Sequence, residues 1–216
     1  MPYTYEYPRP AVTVDAAILR PHKGRIEILL IVRGHPPFPG LNALPGGFLE
    51  MDEEPSIGAA RELTEETGLS GVPLSPLFGA GKVGRDPRSR NITLVFGTLL
   101  KGDALEPKGG DDAARADWFQ LAKPPKMAFD HSTILDEIHQ SLLWQARTAV
   151  VGRNVLPGEF AEPDLCNLHN LIVDDHDDHC LERGLRLGLI QPGGRQGLFR
   201  FADRNQACPD WTALPW

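Results

Sequence analysis

Three glutamates on one short segment are the residues best placed to do chemistry. Glu62 and Glu66 stand four positions apart, and Glu65 is three after Glu62, inside the stretch EPSIGAARELTEETG. On a helix those spacings put the carboxylates on adjoining positions of one face. Like charges so placed repel one another, so the cluster calls for a cation. Hard oxygen ligands sharing a face suit Mg²⁺ or Mn²⁺. Glu53 precedes the segment and could join the group, while Arg61 could pair with Glu53 or a neighbour and hold it in place. The same spacing also occurs on a solvated helix flank with surplus acid, and the three carboxylates alone do not separate the two readings.

A second group of polar residues lies at positions 81–90, GKVGRDPRSR, ahead of the apolar run NITLVFG. Arginine forks make paired contacts to phosphate and aspartate accepts from hydroxyls, so this stretch suits a phosphate and ribose clamp. A polar surface loop would have the same composition.

These residues need elements to hold them. The glutamates fall on an expected helix over 55–67: Pro55 suits its first turn, Ala59, Ala60 and Leu63 form an apolar stripe, and Gly68 suits the position just past its end. Residues 11–19 and 25–33 read as two strands joined by a turn at PHKGR. GHPPFPGLNALPGG (34–47) reads as an irregular Pro/Gly-rich loop. Further strands are expected near 73–79, 91–100 and 115–120. A second helix is expected over 131–147, with Ile134, Leu135, Ile138, Leu142 and Leu143 on one face.

The whole string from Gly47 to Leu69 resembles the signature of the Nudix family, Gly-x5-Glu-x7-Arg-Glu-U-x-Glu-Glu-x-Gly-U with U aliphatic, at every specified position. The resemblance covers roughly residues 8–147. It implies an α/β fold, the Nudix α/β/α sandwich around a mixed sheet. It also implies that Glu62 and Glu66 are principal metal ligands, that Glu65 is a ligand or water activator, and that Glu53 assists from the loop. The Gly47 carbonyl would complete the shell. The implied cofactor is Mg²⁺ (or Mn²⁺), and the implied chemistry is hydrolysis of a nucleoside diphosphate linkage. GRDPR, together with IVRGHPPFPG (31–40), resembles the ADP-ribose pyrophosphatase branch, whose products would be AMP and ribose 5-phosphate. The substrate contacts so implied are Arg33, Arg85, Asp86 and Arg88. AFDH (128–131) resembles a segment of the same branch and adds His131, although a histidine at a helix start also serves as a cap or a surface residue.

After VGRNVLPGEF (151–160) the pattern changes to two short helical stretches, about 161–172 and 176–187, and a possible ribbon, LGLIQ and GLFRF around PGGRQ. The expected division is a Nudix domain over 1–148 and a small winged-helix-like α+β domain over 149–216. This order resembles Nudix-related transcriptional regulators of NAD metabolism, which implies DNA binding as the alternative function. Charge opposes it. Residues 151–216 hold six arginines and no lysine against ten acids, a formal charge of −4, and DDHDDHCLERGLR lies where a reading helix is expected. Only Arg195, Arg200 and Arg204 favour DNA. His176, His179 and Cys180 are zinc-type ligands at irregular spacing without an evident fourth, and the run reads better as a solvated acidic face. Trp211 and Trp216 read as packing or dimer contacts.

The chain of 216 residues carries a net charge of −7, which gives no global attraction to nucleic acid or anionic lipid. Three cysteines, Cys166, Cys180 and Cys208, fit reduced thiols in a cytoplasmic protein. The N-terminal MPYTYEYPRP has no signal-peptide pattern, and no apolar run approaches a membrane span. The expected partners are a small nucleotide substrate and, through the resemblance, a second copy of the chain as a homodimer.

Overall fold

The fold is built around one long hairpin. In the computed structural model, which describes residues 5–101, 107 and 113–202, β1 (Ala11–His22) and β2 (Arg25–Arg33) pair antiparallel, with Leu19 opposite Ile28 and His22 opposite Arg25. Lys23 and Gly24 close the hairpin at φ 45° and 75°. Two successive left-handed residues match the twist of the flanking strands, and glycine meets that demand without strain. Arg204, Cys208, Trp211 and Trp216 lie outside the described residues.

β1 is the axis of a seven-stranded mixed sheet. It runs parallel to β6 (Asn91–Leu99) from Ala11 to Leu19, and β5 (Ser75–Ala80) extends the sheet beyond β6. β2 pairs with β7 (Ala113–Gln120) and with the short β3 (Asn42–Ala43). β4 (Gly46–Phe48) lies against β1, placing Gly46 opposite Asp15 and Gly47 opposite Val14. β3 and β4 fall in the stretch expected to be irregular. Segments of two and three residues are too short to show alternation, and the β1–β2 hairpin supplies the pairing that makes them strands.

Both faces of the sheet are covered, so its central strands read as continuous apolar runs rather than alternating ones. Ala16, Ile18, Leu29 and Ile31 pack with Leu63 of α1 (Pro55–Thr67). Ala17, Leu19, Ile28 and Leu30 pack with Leu135, Ile138 and Leu142 of α2 (His131–Thr148). The result is the α/β/α sandwich. α1 begins on Pro55 and stops at Gly68, whose φ of 72° turns its N–H onto the Thr64 carbonyl at 2.8 Å.

The C-terminal part is a small α+β unit. α3 (Glu162–Val173) and α4 (Cys180–Arg186) accompany a three-stranded sheet ordered β8 (Phe160–Ala161), β10 (Leu198–Phe201) and β9 (Ile190–Pro192). α4 is shorter than expected. Asp174 takes φ 52° and ends α3, and the Asp175 and Asp177 carboxylates accept from the N–H groups of His176 and His179. Such local bonds compete with the helix and keep 174–179 a loop.

This unit does not stand apart. Leu168, Ile172 and Val173 of α3 enter the same core as Ile138 and Leu142. Arg183 of α4 donates to the carbonyls of Ala149 and Ala146, both at 2.7 Å, and pairs with Asp177. His169 is fully buried; its Nδ1 faces the Ala146 carbonyl at 3.1 Å and its Nε2 accepts from Val151 N–H at 3.2 Å. Burial, and then Arg183, hold its pKa below the usual histidine value, so the ring sits neutral. Leu168→Ala is therefore expected to lower the stability of the whole chain by about 2–4 kcal/mol in urea unfolding followed by tryptophan fluorescence, with a single transition retained. Early loss of the C-terminal helices alone would show that the core is not shared.

Candidate functional site

The site forms where α1 crosses the β1–β4 edge of the sheet. Helical geometry turns Glu62 and Glu66, one turn apart, toward a cavity of about 450 Å³. Glu66 is buried, and its Oε2 accepts from Gly46 N–H at 2.8 Å. Burial raises its pKa to about 8, against the opposing Gly46 bond, with the Glu62 and Asp15 charges adding to the rise. Burial also raises Glu62. A Cβ at Gly47 would strike the Glu62 carboxylate, and one at Gly46 would sit 2.6 Å from Asp15 Oδ1. The paired glycines let the acidic groups lie flat on the strand.

Arg61 divides the acidic residues. Its Nε and Nη2 donate to Glu53 at 3.1 and 2.8 Å, and its Nη1 donates to Glu62 at 2.8 Å and Glu65 at 3.0 Å. Nη2 also reaches the Phe48 carbonyl. Arg61 and the Glu50 N–H hold Glu53 below the usual carboxylate range. Neither Glu53 nor Glu65 lines the cavity; the Glu53 side chain is 10% exposed and the Glu65 side chain 55%. Of the residues expected from the sequence, Gly47, Arg61, Glu62, Glu66, Arg33, Arg85, Asp86, Arg88 and His131 line the cavity.

The opposite wall is cationic. Arg33 lies over the Phe129 ring at 4.8 Å and Arg88 approaches the same ring at 5.7 Å. Arg33 Nε donates to the Pro37 carbonyl. Burial and the neighbouring Arg88 lower the pKa of Arg33, as expected for two like charges held close with room for an anion. The Arg88 fork grips Asp86, whose carboxylate is held below its usual range chiefly by that bond. Arg85 is buried, and it spends its fork on Asp130 at 2.9 and 3.0 Å and on Asn91 at 3.3 Å. It is thus tied into the wall, while Arg33 is held by the Pro37 and His35 carbonyls and Arg88 by Asp86, with the Arg88 side chain still 44% exposed.

His131 opens α2 and is buried. Leu44 N–H donates to its Nδ1 at 3.0 Å, which leaves the ring proton on Nε2, 3.8 Å from Asp15 Oδ1. Burial lowers its pKa, so the neutral ring presents an N–H donor. Sequence reasoning missed Asp15, Asn91, Phe129 and Asp130. Asp15 carried a usable signal: it is one acid within the apolar run AVTVDAAIL, where an unpaired carboxylate is costly. Thr93 Oγ1 donates to it at 2.5 Å. The other three depend on which loops meet.

The donor chemistry fits a divalent cation. Glu62 and Glu66 supply hard oxygens in a desolvated, acidic corner, where burial raises both pKa values and a bound cation would take the place of the proton. No group of three or more His, Cys, Asp or Glu among the described residues is placed to hold an ion unaided. Mg²⁺ commonly takes one or two carboxylates and completes its shell with water and substrate phosphate, so two suffice. The DDHDDHC run forms no such centre: Cys180 is fully buried, while His179 is exposed. No helix among the described residues is long and apolar enough to cross a membrane.

The family model described as the NUDIX domain matches residues 9–138. An ADP-ribose pyrophosphatase of Methanocaldococcus jannaschii is 44% identical over 131 residues, covering 61% of this chain and 74% of that protein. An ADPR-responsive transcriptional repressor of Acinetobacter baylyi is 30% identical over 193 residues, 87% of this chain and 75% of that one. A MutT/nudix family protein from Enterococcus faecalis shares the fold at a TM-score of 0.76 and 21% identity, covering 93% and 90% of the two chains.

The buried acids set a pH dependence. Glu66 has a folded pKa of about 8 against 4.5 for the free group, so the native state binds the extra proton between those values. In chelator-treated protein its contribution to stability is full below pH 4.5 and is lost as pH rises toward 8. Melting temperature should fall across that window, Glu66→Gln should flatten the fall, and Mg²⁺ or Mn²⁺ should raise the melting temperature of the parent chain at pH 8 but not of the variant. An equal metal response in both would remove Glu66 from the ligand set.

Proposed function

The chain belongs to the Nudix family, and from that premise we propose that it hydrolyses a nucleoside diphosphate linked to a second moiety, with ADP-ribose as substrate and AMP and ribose 5-phosphate as products. The observation that carries this reading is the pair of carboxylates, buried Glu66 and half-buried Glu62, facing Arg33 and Arg88 across one cavity. The substrate assignment draws on the similarity to the archaeal ADP-ribose pyrophosphatase over the sandwich.

Glu62 and Glu66 would hold Mg²⁺ or Mn²⁺, with the Gly47 carbonyl beside them. When bound, such an ion neutralises charge developing on the phosphate oxygens and lowers the pKa of a coordinated water. The chain's own groups do the rest. Arg33 and Arg88 would take the diphosphate with the N–H groups that the Pro37 and His35 carbonyls and Asp86 leave over. The His131 Nε2–H and the Asp15 and Asp86 carboxylates offer a donor and acceptors for hydroxyl groups. Arg85 holds the wall against α2. Arg61 fixes the orientation of Glu62, and Glu53 and Glu65 act through Arg61 as positioning residues. Water attacks one phosphorus and gives a proton to a carboxylate of the site, the bridging P–O bond breaks, and its electron pair leaves with the other phosphate.

Incubating the protein with ADP-ribose and Mg²⁺ should yield AMP by chromatography. Glu66→Gln should lower kcat by about 10²–10³-fold while the folded signal persists, since the ion supplies several kcal/mol of charge stabilisation. Undiminished turnover in that variant would sink the assignment.

A second reading rests on a separate observation. The alignment to the Acinetobacter repressor is too long to be confined to residues 1–148 and so reaches into the C-terminal unit. That reading makes the chain an ADP-ribose-sensing regulator with a division near residue 148, and makes residues 149–216 a winged-helix-like DNA reader. Arg195 and Arg200 are exposed near the β9–β10 turn, but so are Asp174, Asp175 and Asp178, and phosphate contacts favour lysine and arginine. Charge and the intact glutamate set favour the hydrolase. For the assembly we propose a homodimer, for which Tyr7, Phe48 and Met51 offer exposed apolar surface along one groove. Fluorescence anisotropy with duplex DNA at low salt separates the two functions: no binding is expected, and sequence-selective binding relieved by ADP-ribose would establish the regulator.

A further inference from the structure

A feature of the C-terminal unit lies outside the hydrolytic site and does not depend on the reading of it. We propose that Cys166 and Cys180 form a reversible dithiol–disulfide site that staples α3 to α4. Cys166 lies inside α3 and Cys180 opens α4, fourteen residues further along the chain, and their Sγ atoms are in contact at 2.8 Å. Both are free thiols. A pair already in contact needs little backbone movement to bridge.

The two thiols differ in access, and the difference assigns their roles. Cys166 is half-buried, whereas Cys180 is fully buried among Leu165, Leu181 and Ile190. Burial, and then the neighbouring Cys166, push the Cys180 thiol above its ordinary pKa, so it is the poorer first nucleophile. The oxidant is a small-molecule disulfide such as glutathione disulfide. Cys166 Sγ, as thiolate, attacks one sulfur of that disulfide, forming a mixed disulfide and releasing one small thiol. Cys180 then attacks Cys166 Sγ, its proton passing to the departing small thiolate. The Sγ–Sγ bond forms and the second small thiol leaves. The cysteines lose two electrons in all, and the small disulfide gains them as two thiols.

The bridge spans the acidic loop 174–179, which carries the Asp177 that pairs with Arg183. Arg183 in turn holds the carbonyls of Ala146 and Ala149 at the end of α2. Closing the bridge fixes the loop and with it the clamp on α2.

The test uses the full chain with Cys208→Ser, which removes the third thiol. Incubation with glutathione disulfide should lower the intact mass by two hydrogen atoms and give a cross-linked Cys166–Cys180 peptide, reversed by dithiothreitol. A loop of this length should raise the melting temperature by roughly 5–10 °C on oxidation. Adding Cys166→Ala, and separately Cys180→Ala, should abolish both changes. A chain that stays stably glutathionylated at Cys166, remains unmodified, or forms the bridge with no rise in melting temperature would overturn the proposal.

Discussion

A desolvated acidic side chain beneath α1, Glu66, is the constraint on which the rest of the site depends. Glu66 has left water, and within the protein its carboxylate meets one backbone N–H, from Gly46, and the fields of Glu62 and Asp15. Burying such a group without a strong partner is costly. The fold accommodates it in two ways. Gly46 and Gly47 let the strand lie close, since a Cβ at Gly47 would strike the Glu62 carboxylate and one at Gly46 the Val14 carbonyl and Asp15. Arg61 absorbs the surplus charge of Glu53, Glu62 and Glu65, so that the unrelieved acidity concentrates at one place on the cavity wall. A site that is unfavourable when empty of cations is one that selects for them.

The cationic wall answers that arrangement from three separate stretches of chain. Arg33 ends β2, Arg85 and Arg88 come from the loop before β6, and Phe129 precedes α2. The Arg85–Asp130 pair binds the loop to the start of α2, and the ring of Phe129 lies beside the guanidiniums of Arg33 and Arg88. Acid and base thus face each other across the cavity, a charge separation suited to a cation on one side and a diphosphate on the other.

α2 is also where the two parts of the molecule meet. Its first residue, His131, touches the cavity, and the carbonyls of its last turn are taken by His169 and Arg183. Since α3 shares the sheet core, the C-terminal unit is anchored by packing and by polar contacts at once. Packed elements that carry both a site and an appended unit are one physical route by which either can influence the other.

Much of the fold was legible in the order of residues. Helix α1 follows from Pro55, the Ala59–Leu63 stripe and Gly68, and the central hairpin from two apolar runs around Lys23–Gly24, because these signals act over a few neighbouring positions. The pairing of Glu62 with Glu66 belongs to the same class, since helical spacing alone puts them one turn apart. Other features waited for the tertiary structure. β3 and β4 exist because longer strands offer them partners, and α4 is short because the preceding aspartates bond to their own backbone. Glu65 turned out to pair with Arg61 without lining the cavity, and Arg85 to be occupied by Asp130, forty-five residues away. Spacing fixes which face of an element a side chain shares, but which partner neutralises it depends on distant chain arriving at the same point, and that only packing decides.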